Sequence, residues 1–208
     1  IGGSGQVELG YGLTGIDKLR GGKGLLNEKD ISNVSIRERG IAGMSCIPED
    51  RHKYGLVLDF SLEDNLILHN YYKKPFNEKG FINRKKEREH ADGLITSFDV
   101  RAGKGAETPA RSMSGGNQQK AIIAREINKD DDLLIAVHPT RGLDVAAIEY
   151  IHNQIINQRN NEKAVLLVSF ELDEVMDLSD RILVMYEGEI VGELNPEETT
   201  PEELGLYM

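Results

Sequence analysis

The sequence predicts an α/β fold in which a parallel sheet carries an inserted helical subdomain. Short aliphatic runs, helical patterns between them, and a polar helical stretch in mid-chain support this prediction. Runs of about four to six aliphatic and β-branched residues are typical of strands that are covered on both faces. Strands that alternate with helices form parallel sheets. The runs are Met44 to Pro48, Leu133 to Val137, Ala164 to Ser169, Ile182 to Tyr186 and Glu189 to Leu194.

The last two runs are separated by Glu187 and Gly188, which predicts a hairpin at the edge of the sheet. Among the helical patterns, a clear one follows Asp144, because this residue is a favourable N-cap and isoleucines recur on one face after it. These isoleucines are Ile148, Ile151 and Ile155.

The middle of the chain, residues 51–113, is predicted to form the inserted helical subdomain, because it is polar and helical and lacks the pattern of a buried strand. Ser61 and Asp64 predict a capping box at the start of one helix. The charge run from Asn83 to His90 begins another helix. We interpret this run as a solvent-exposed face with i,i+4 ion pairs rather than as a nucleic-acid contact.

Composition and charge exclude several classes of protein. The 208 residues suffice for one domain with an insertion. There are 25 basic and 35 acidic side chains, and the net charge of −10 argues against a nucleic-acid-binding protein. No apolar run approaches the ~18 residues of a membrane-spanning helix. The single cysteine, Cys46, excludes a disulfide scaffold and a cysteine-built zinc site, and we expect it to be a small buried apolar residue.

The ends of the chain predict a fragment of a longer polypeptide. The chain opens on Ile1 and Gly2 and enters a glycine-rich turn without a strand that leads into it. It stops at Met208, within a short helix predicted from Thr200. We therefore expect the fold to lack its first strands.

The loop from Ser114 to Gln118 carries the strongest chemical signal, because two glycines stand directly before a helical pattern. Glycines let the backbone approach a ligand closely. The free N–H groups at a helix start, with the positive end of the helix dipole behind them, favour an anion such as phosphate. The alternative interpretation is an ordinary helix-capping loop.

Further segments form an ordered series with this loop. The strand Leu133 to Val137 is followed by His138 and then by Asp144, and a later strand leads into Ser169 and Phe170. In this order the segments resemble the nucleotide-binding domain of an ATP-binding cassette (ABC) transporter over nearly the whole chain. The resemblance assigns the signature motif to Ser114, Gly115, Gly116, Asn117 and Gln118, Walker B to Val137 and His138, the D-loop to Asp144, the switch position to Phe170, the Q-loop to Glu49, and the end of the Walker A phosphate loop to Gly3, Ser4, Gly5, Gln6 and Val7.

Longer segments narrow the resemblance to the second, C-terminal ATPase domain of tandem ABC proteins. Such proteins serve importers of simple sugars and nucleosides, and the residues of this sequence favour the nucleoside branch. The segments are PEDRHKYGL, TPARSMSGGNQQKAIIARE, PTRGLDVAAIEYIH and LLVSFELDEV.

The resemblance implies a P-loop NTPase core that spans residues 1–208, with ATP and Mg²⁺ as cofactors, mainly at the partner domain's site. It implies three partners: the N-terminal ATPase domain of the same polypeptide, transmembrane permease subunits and, indirectly, an extracytoplasmic solute-binding protein. Nucleic acid is not expected as a partner. The expected location is peripheral, at the cytoplasmic face of the plasma membrane.

Departures from the family pattern concern the domain's own phosphate site. Gln6 takes the place of the phosphate-binding Lys, and Val7 that of the Ser or Thr that holds Mg²⁺. The loss of one charged contact costs about 1.5–3 kcal/mol. Val137 and His138 replace the Walker B Asp-Glu pair. At position 138 we expect a polar residue at a site that has lost its catalytic function, rather than a catalytic base.

Two more departures are Glu49 in place of the Q-loop Gln and Phe170 in place of the switch His, although Phe170 looks normal for the nucleoside branch. A carboxylate at Glu49 could ligate a metal but would also repel phosphate. The sequence therefore predicts no catalytic residue and no metal ligand in this chain, and weak or no hydrolysis by the isolated domain.

The intact signature predicts a function in trans, because in an ABC dimer the signature of one domain covers ATP held by the other. By this resemblance Ser114 to Gln118 would contact the partner's γ-phosphate, and Asp144 would reach across the same interface. The full protein would then be an ATPase coupled to transport. Two rival hypotheses are a soluble ABC ATPase in translation or DNA repair, and a structural module that binds no nucleotide.

By the same resemblance, the expected contact with the membrane subunit is a groove formed by residues near Glu49 to Phe60 and by the helix from Leu62. Its apolar residues alternate, and the competing interpretation is the core of the insertion. These residues are Tyr54, Leu56, Leu58 and Phe60.

Overall fold

The computed structural model describes residues 3–207, in two compact units. The first unit contains the chain up to Glu49, Asp131–Pro139, and the chain from His152 onward; the second contains Asp50–Asp130 and Thr140–Ile151. The expectations about Ile1, Gly2 and the stop at Met208 lie outside the described residues. The short helix predicted from Thr200 is confirmed, but it ends at Gly205.

The helices, in chain order, are α1 (Gln6–Thr14), α2 (Ile36–Ile41), α3 (Leu62–Leu66), α4 (Arg84–Ser97), α5 (Gly115–Ile127), α6 (Val145–Asn160), α7 (Leu172–Leu178) and α8 (Pro201–Gly205). The strands are β1 (Leu25–Leu26), β2 (Lys29–Asp30), β3 (Met44–Ile47), β4 (Asn77–Glu78), β5 (Phe81–Ile82), β6 (Leu133–Val137), β7 (Ala164–Val168), β8 (Ile182–Tyr186) and β9 (Glu189–Leu194). A π-helical turn spans Arg51–Gly55. Within residues 3–207, no helix has the length and apolar character that a bilayer crossing requires.

A parallel sheet of order β3-β6-β7 forms the centre of the first unit and confirms the predicted α/β class. β6 lies in the middle and is buried over its last four residues, because its aliphatic side chains are covered on both faces. Ile135 and Val137 pack with Met44 and Val168 in one apolar cluster. The sheet therefore brings the carboxyl ends of β3, β6 and β7, the sites of three predicted motifs, to one edge.

The hairpin β8-β9 is confirmed, but its predicted place at the edge of this sheet is wrong. Among the described strands, β8 pairs with β9 alone. A cavity of about 430 Å³ is lined by residues of both β7 and the hairpin. The hairpin signal in the sequence specifies how two adjacent strands pair, but it carries no information about their next neighbour.

The second unit is mainly helical, and α5 packs against both α3 and α4. Its core contains Leu62, Leu94 and Ala121 from these three helices. The unit extends beyond the predicted range 51–113 because the apolar face of α5 belongs to this core. The short strands β4 and β5 add a small antiparallel hairpin that the sequence did not indicate.

The helix starts in this unit follow local side-chain chemistry. Ser61 caps α3, since its hydroxyl oxygen accepts from the Asp64 amide at 3.2 Å. The predicted capping box is incomplete, because the Asp64 carboxylate accepts from the Ser61 hydroxyl instead of the Ser61 amide. Arg84 and Glu87, in the first turn of α4, form an ion pair at 2.8 Å.

The charge run at the start of α4 is only partly exposed. Lys85 and Glu89 form the expected i,i+4 pair at 4.0 Å. Glu87 is completely buried, in line along the helix with Ala91 and Leu94, and burial raises the pKa of its carboxyl group. The interpretation of the whole run as a solvated face is therefore wrong at Glu87, where the helical period places a charge toward the core.

Candidate functional site

Ser114 is exposed at the N-cap of α5, and its hydroxyl oxygen accepts two hydrogen bonds from Asn117, one from the amide at 3.4 Å and one from Nδ2 at 2.9 Å. The orientation of the Asn117 amide is set by its Oδ1, which accepts from the Arg101 amide at 2.7 Å. Because the Ser114 oxygen is the acceptor in both bonds, its own hydrogen is available to donate outward.

The next two residues, Gly115 and Gly116, form the first turn of α5, a helix of 13 residues. Their N–H groups belong to the four at a helix start that have no acceptor within the helix. Together with the helix dipole and the Ser114 hydroxyl, they form a surface that favours an anion. A side chain at position 116 would contact the Ala147 Cβ at 3.5 Å and one oxygen of Asp144 at 3.9 Å.

Asp144 is exposed beside the signature in the same unit. Its Oδ1 accepts from the Ala147 amide at 2.9 Å, so the predicted N-cap of α6 is confirmed. The following residue, Val145, exposes 80% of its surface. The residues predicted to form the D-loop and the signature thus form one exposed surface with polar and apolar parts.

Gln118 does not face this surface, which corrects its assignment as a contact to nucleotide. The side chain is buried. Its Nε2 donates to the Ala110 carbonyl at 2.9 Å, and its Oε1 lies 2.9 Å from Nε2 of His52. Helical geometry explains the difference, because the first residues of α5 point out of the turn while position 118 turns toward the core.

The predicted phosphate loop lies at the start of α1 in the first unit. Gly5 occupies the N-cap with a φ of +98°, a conformation that favours glycine. The Ser4 carbonyl accepts from the Gly188 amide at 2.9 Å, and Ser4 itself is buried. Val7, which the resemblance places at the position of a Mg²⁺-binding hydroxyl, packs against the apolar cluster of the sheet, while Gly3 is exposed and Gln6 is half-buried.

The end of β6 carries no acidic pair. Val137 is fully buried in the apolar cluster. His138 is buried with a φ of +46°, and its ring lies 4.0 Å from the ring of the half-exposed Phe170 at an angle of 41°. An alkyl group and an imidazole tilted against a phenyl ring therefore occupy the two positions that the sequence analysis assigned to Walker B.

The remaining predicted position, Glu49, is half-buried two residues after β3. Within residues 3–207, no group of three or more His, Cys, Asp or Glu side chains could hold a metal ion. Cys46 is half-buried, not fully buried as expected, because it lies in β3 at the outer edge of the sheet.

The predicted membrane-subunit contact is exposed only in part. Tyr54 and Phe60 are exposed, whereas Leu56 is buried and Leu58 half-buried. The exposed neighbour that the alternation missed is Val57. The segment turns at this point, since the Phe60 amide donates to the Val57 carbonyl at 3.0 Å, and the period of an extended strand does not apply.

Sequence reasoning also missed Arg51 and His52, whose side chains contact the start of α5. The signal that could have indicated them is the row Gly115, Gln118, Ile122 and Arg125, which follows one face of that helix.

Solved structures with a similar fold include ATP-binding cassettes. One is an ATP-binding cassette in a dimeric post-hydrolysis state bound to ADP and Pi, with a TM-score of 0.78, 20% identity, and coverage of 94% of this chain and 82% of that one. Another is a nucleotide-free cassette from an ABC transporter, with a TM-score of 0.79, 21% identity, and coverage of 100% and 85%. The fold is that of an ATP-binding cassette.

Sequence comparison finds relatives over the whole chain, although no family model matches it. The chain is 52% identical over 208 residues to the guanosine import ATP-binding protein NupO of Bacillus subtilis and covers 41% of that protein. It is 50% identical to the nucleoside import ATP-binding protein NupA of Lactococcus lactis, again covering 41%. A ribose import ATP-binding protein of Oceanobacillus iheyensis is 37% identical over 205 residues. The chain thus spans about two fifths of the length of these curated relatives.

Proposed function

We propose that this cassette is the second, C-terminal ATPase domain of an importer for nucleosides or simple sugars, and that it covers a nucleotide held by the N-terminal ATPase domain of the same polypeptide. The observation that carries the proposal is the exposed hydroxyl of Ser114, which keeps a hydrogen to donate and lies beside the first backbone amides of α5.

The signature surface suits a terminal phosphate. The Ser114 hydroxyl and the N–H groups of Gly115 and Gly116 are donors, and the dipole of α5 adds positive potential at the same point. Hydrogen bonds to a charged group contribute about 1.5–3 kcal/mol each. Asn117 supports this arrangement because it holds the Ser114 oxygen as an acceptor.

The domain's own phosphate site is retired in this proposal. Mg²⁺ does not fit at the end of β6, because Val137 presents only an alkyl group and is enclosed by the apolar cluster. His138 is buried against Phe170, so its imidazole does not face an open substrate site. Hydrolysis coupled to transport then takes place at the partner domain's site, where ATP supplies the free energy that closes the two domains.

The transport class rests on the relatives, whose names describe import of guanosine, nucleosides and ribose. The two relatives at 50% identity or more favour the nucleoside branch. The net charge of −10 disfavours the rival function in translation or DNA repair, which requires contact with nucleic acid. Tyr54, Val57 and Phe60 offer an exposed apolar contact for permease subunits at the cytoplasmic face of the membrane. A solute-binding protein would act through those permease subunits.

Replacement of Ser114 by Arg in the full-length polypeptide, assembled with its membrane subunits, tests the proposal. The bulky cation should block closure over the partner's triphosphate and lower transport-coupled ATPase activity more than about 100-fold, since misplacement of about 1 Å can already cost that much. Ser97→Arg, at the exposed end of α4, is the matched control and should retain activity. Full activity of the Ser114→Arg variant would refute the function in trans.

A further inference from the structure

The π-helical turn Arg51–Gly55 lies along one face of α5, directly behind the signature. Its residues contact α5 at successive levels of that face, and every contact lies within the second compact unit. The contacted positions of α5 are Gly115, Gln118, Ile122 and Arg125. The spacing of these positions, i, i+3, i+7 and i+10, keeps them on one side of a helix.

The contact between His52 and Gln118 has a defined direction. The Gln118 Nε2 donates to the Ala110 carbonyl at 2.9 Å, which turns its Oε1 toward the imidazole. The 2.9 Å bond therefore requires a hydrogen on Nε2 of His52. Both the Nε2–H neutral tautomer and the imidazolium carry that hydrogen, so the bond is compatible with either charge state.

Arg51 connects the signature to the D-loop segment. A Cβ at position 115 would lie 3.0 Å from its Nη2, so the guanidinium occupies the space that glycine leaves open. Its Nη1 donates to the carbonyl of Arg141 at 3.4 Å, three residues before Asp144. One planar side chain thus contacts both segments of the proposed interface.

The turn that carries these side chains is itself anchored at both ends. The Asp50 carboxylate accepts from the amides of His52 at 2.9 Å and Lys53 at 3.0 Å, and these bonds lower its pKa against the opposing effect of burial. At the other end, the Gly55 carbonyl accepts from Nη1 of Arg125 at 2.9 Å. A turn fixed in this way can hold a side chain in one place relative to α5.

We propose that Arg51 and His52 are positioning residues for the signature. They hold Gly115 and Gln118 so that the Ser114 hydroxyl and the first amides of α5 keep the orientation that meets the partner's triphosphate. Neither side chain is assigned a contact with the nucleotide. This inference rests on the proposed function of the signature in trans.

The experiment compares ATPase kinetics of the full-length polypeptide with its membrane subunits. His52→Ala should lower kcat about tenfold and leave KM for ATP within twofold, because ATP is first held by the partner domain and the signature acts at closure. His52→Gln keeps an amide donor and should restore kcat to within about threefold of the parent protein. Arg51→Ala should lower kcat similarly.

A further readout separates positioning from a general loss of stability. Arg51→Lys should recover little, because the ammonium lacks the planar fork. Lys53→Ala, an exposed side chain on the same turn, is the control and should retain kcat.

Ser114→Arg is measured in the same series. If Ser114→Arg retains activity, the proposed function itself fails. If Ser114→Arg is inactive while His52→Ala and Arg51→Ala keep the parent kcat, the positioning inference alone is overturned. It is also overturned if His52→Gln and His52→Ala lose kcat equally, or if KM rises in place of a fall in kcat.

Discussion

The buried carboxylate of Glu126, near the end of α5, should be one of the most sensitive charges in the second unit. It is almost completely buried, and its partners are Nε of Arg125 at 2.7 Å, Nζ of Lys129 at 3.0 Å and Nδ1 of His69 at 3.1 Å. Arg125 is buried as well and donates to the carbonyls of Gly55 and Asn65. The pair thus connects α5 to the turn behind the signature.

Replacement of Glu126 by Gln keeps the shape and removes the charge. The Arg125 guanidinium then stays buried with neutral acceptors only. Removal of one partner of a buried ion pair typically costs about 3–5 kcal/mol. We expect about 3 kcal/mol, because the amide oxygen still accepts one hydrogen bond, and because His69 is substantially exposed and can be solvated.

The pH dependence of this loss follows from the pKa of Glu126. Burial raises that pKa, but Arg125, His69 and Lys129 together lower it well below the ordinary value. A depressed folded-state pKa stabilises the fold above the unfolded value of about 4.3, and the stabilisation disappears as the pH falls through the folded value. The difference between parent and variant should therefore be largest above about pH 5 and shrink in acid.

Urea unfolding of the 208-residue chain, followed by circular dichroism from pH 3 to 7, measures both effects. Glu89→Gln is the matched control, because Glu89 is half-exposed and pairs with Lys86 at 2.8 Å. Exposed pairs contribute about 0–1 kcal/mol, so this variant should be close to the parent. A loss below about 1 kcal/mol for Glu126→Gln at pH 7, with an unchanged m-value, would refute the reasoning.

Gly55→Ala should destabilise the chain by about 1–3 kcal/mol, because the added Cβ would lie 2.6 Å from Cδ1 of the fully buried Ile122. Ile122→Val removes that atom at a cost of about 0.5–1.5 kcal/mol. The double variant should therefore lose less unfolding free energy than the two single variants lose in sum, by at least about 0.5 kcal/mol. Strict additivity in urea unfolding would contradict the contact. ATPase activity of the isolated 208-residue chain should stay near background, because Gln6, Val7 and Val137 lack the charged groups and ligands of a working site; a rate comparable to that of the full-length polypeptide would be evidence against a retired site.

Local sequence patterns predicted the elements of the sheet well, because burial on both faces leaves an aliphatic signature in the chain itself. β6, β8 and β9 have the predicted bounds, and β3 and β7 each end one residue early. The placement of the hairpin was wrong, because the pattern of two adjacent strands contains nothing about their distance from β7.

For the site as well, local sequence patterns predicted some features, and packing between distant segments determined the others. The positions of Ser114 and Asp144 in exposed loops before helices follow from glycine and N-cap chemistry, which is local. The inward direction of Gln118 and the burial of Glu87 depend on which face of a helix meets the core. That choice is made by packing between distant segments, so a polar residue type alone does not indicate it.

The amino-acid sequence by itself determined which groups this chain offers at the predicted sites: a serine and two glycines before a helix, and no Lys, Asp or Glu at positions 6, 7, 137 and 138. Only the tertiary structure decided how the retained surface is supported. Arg51 and His52 stand about 60 residues before α5 in the chain, and folding alone brings Nε2 of His52 to 2.9 Å from Oε1 of Gln118 and the Arg51 guanidinium against Gly115. The physical reason is that side-chain identity fixes donors, acceptors and charge, whereas their directions come from the packed helices that hold them.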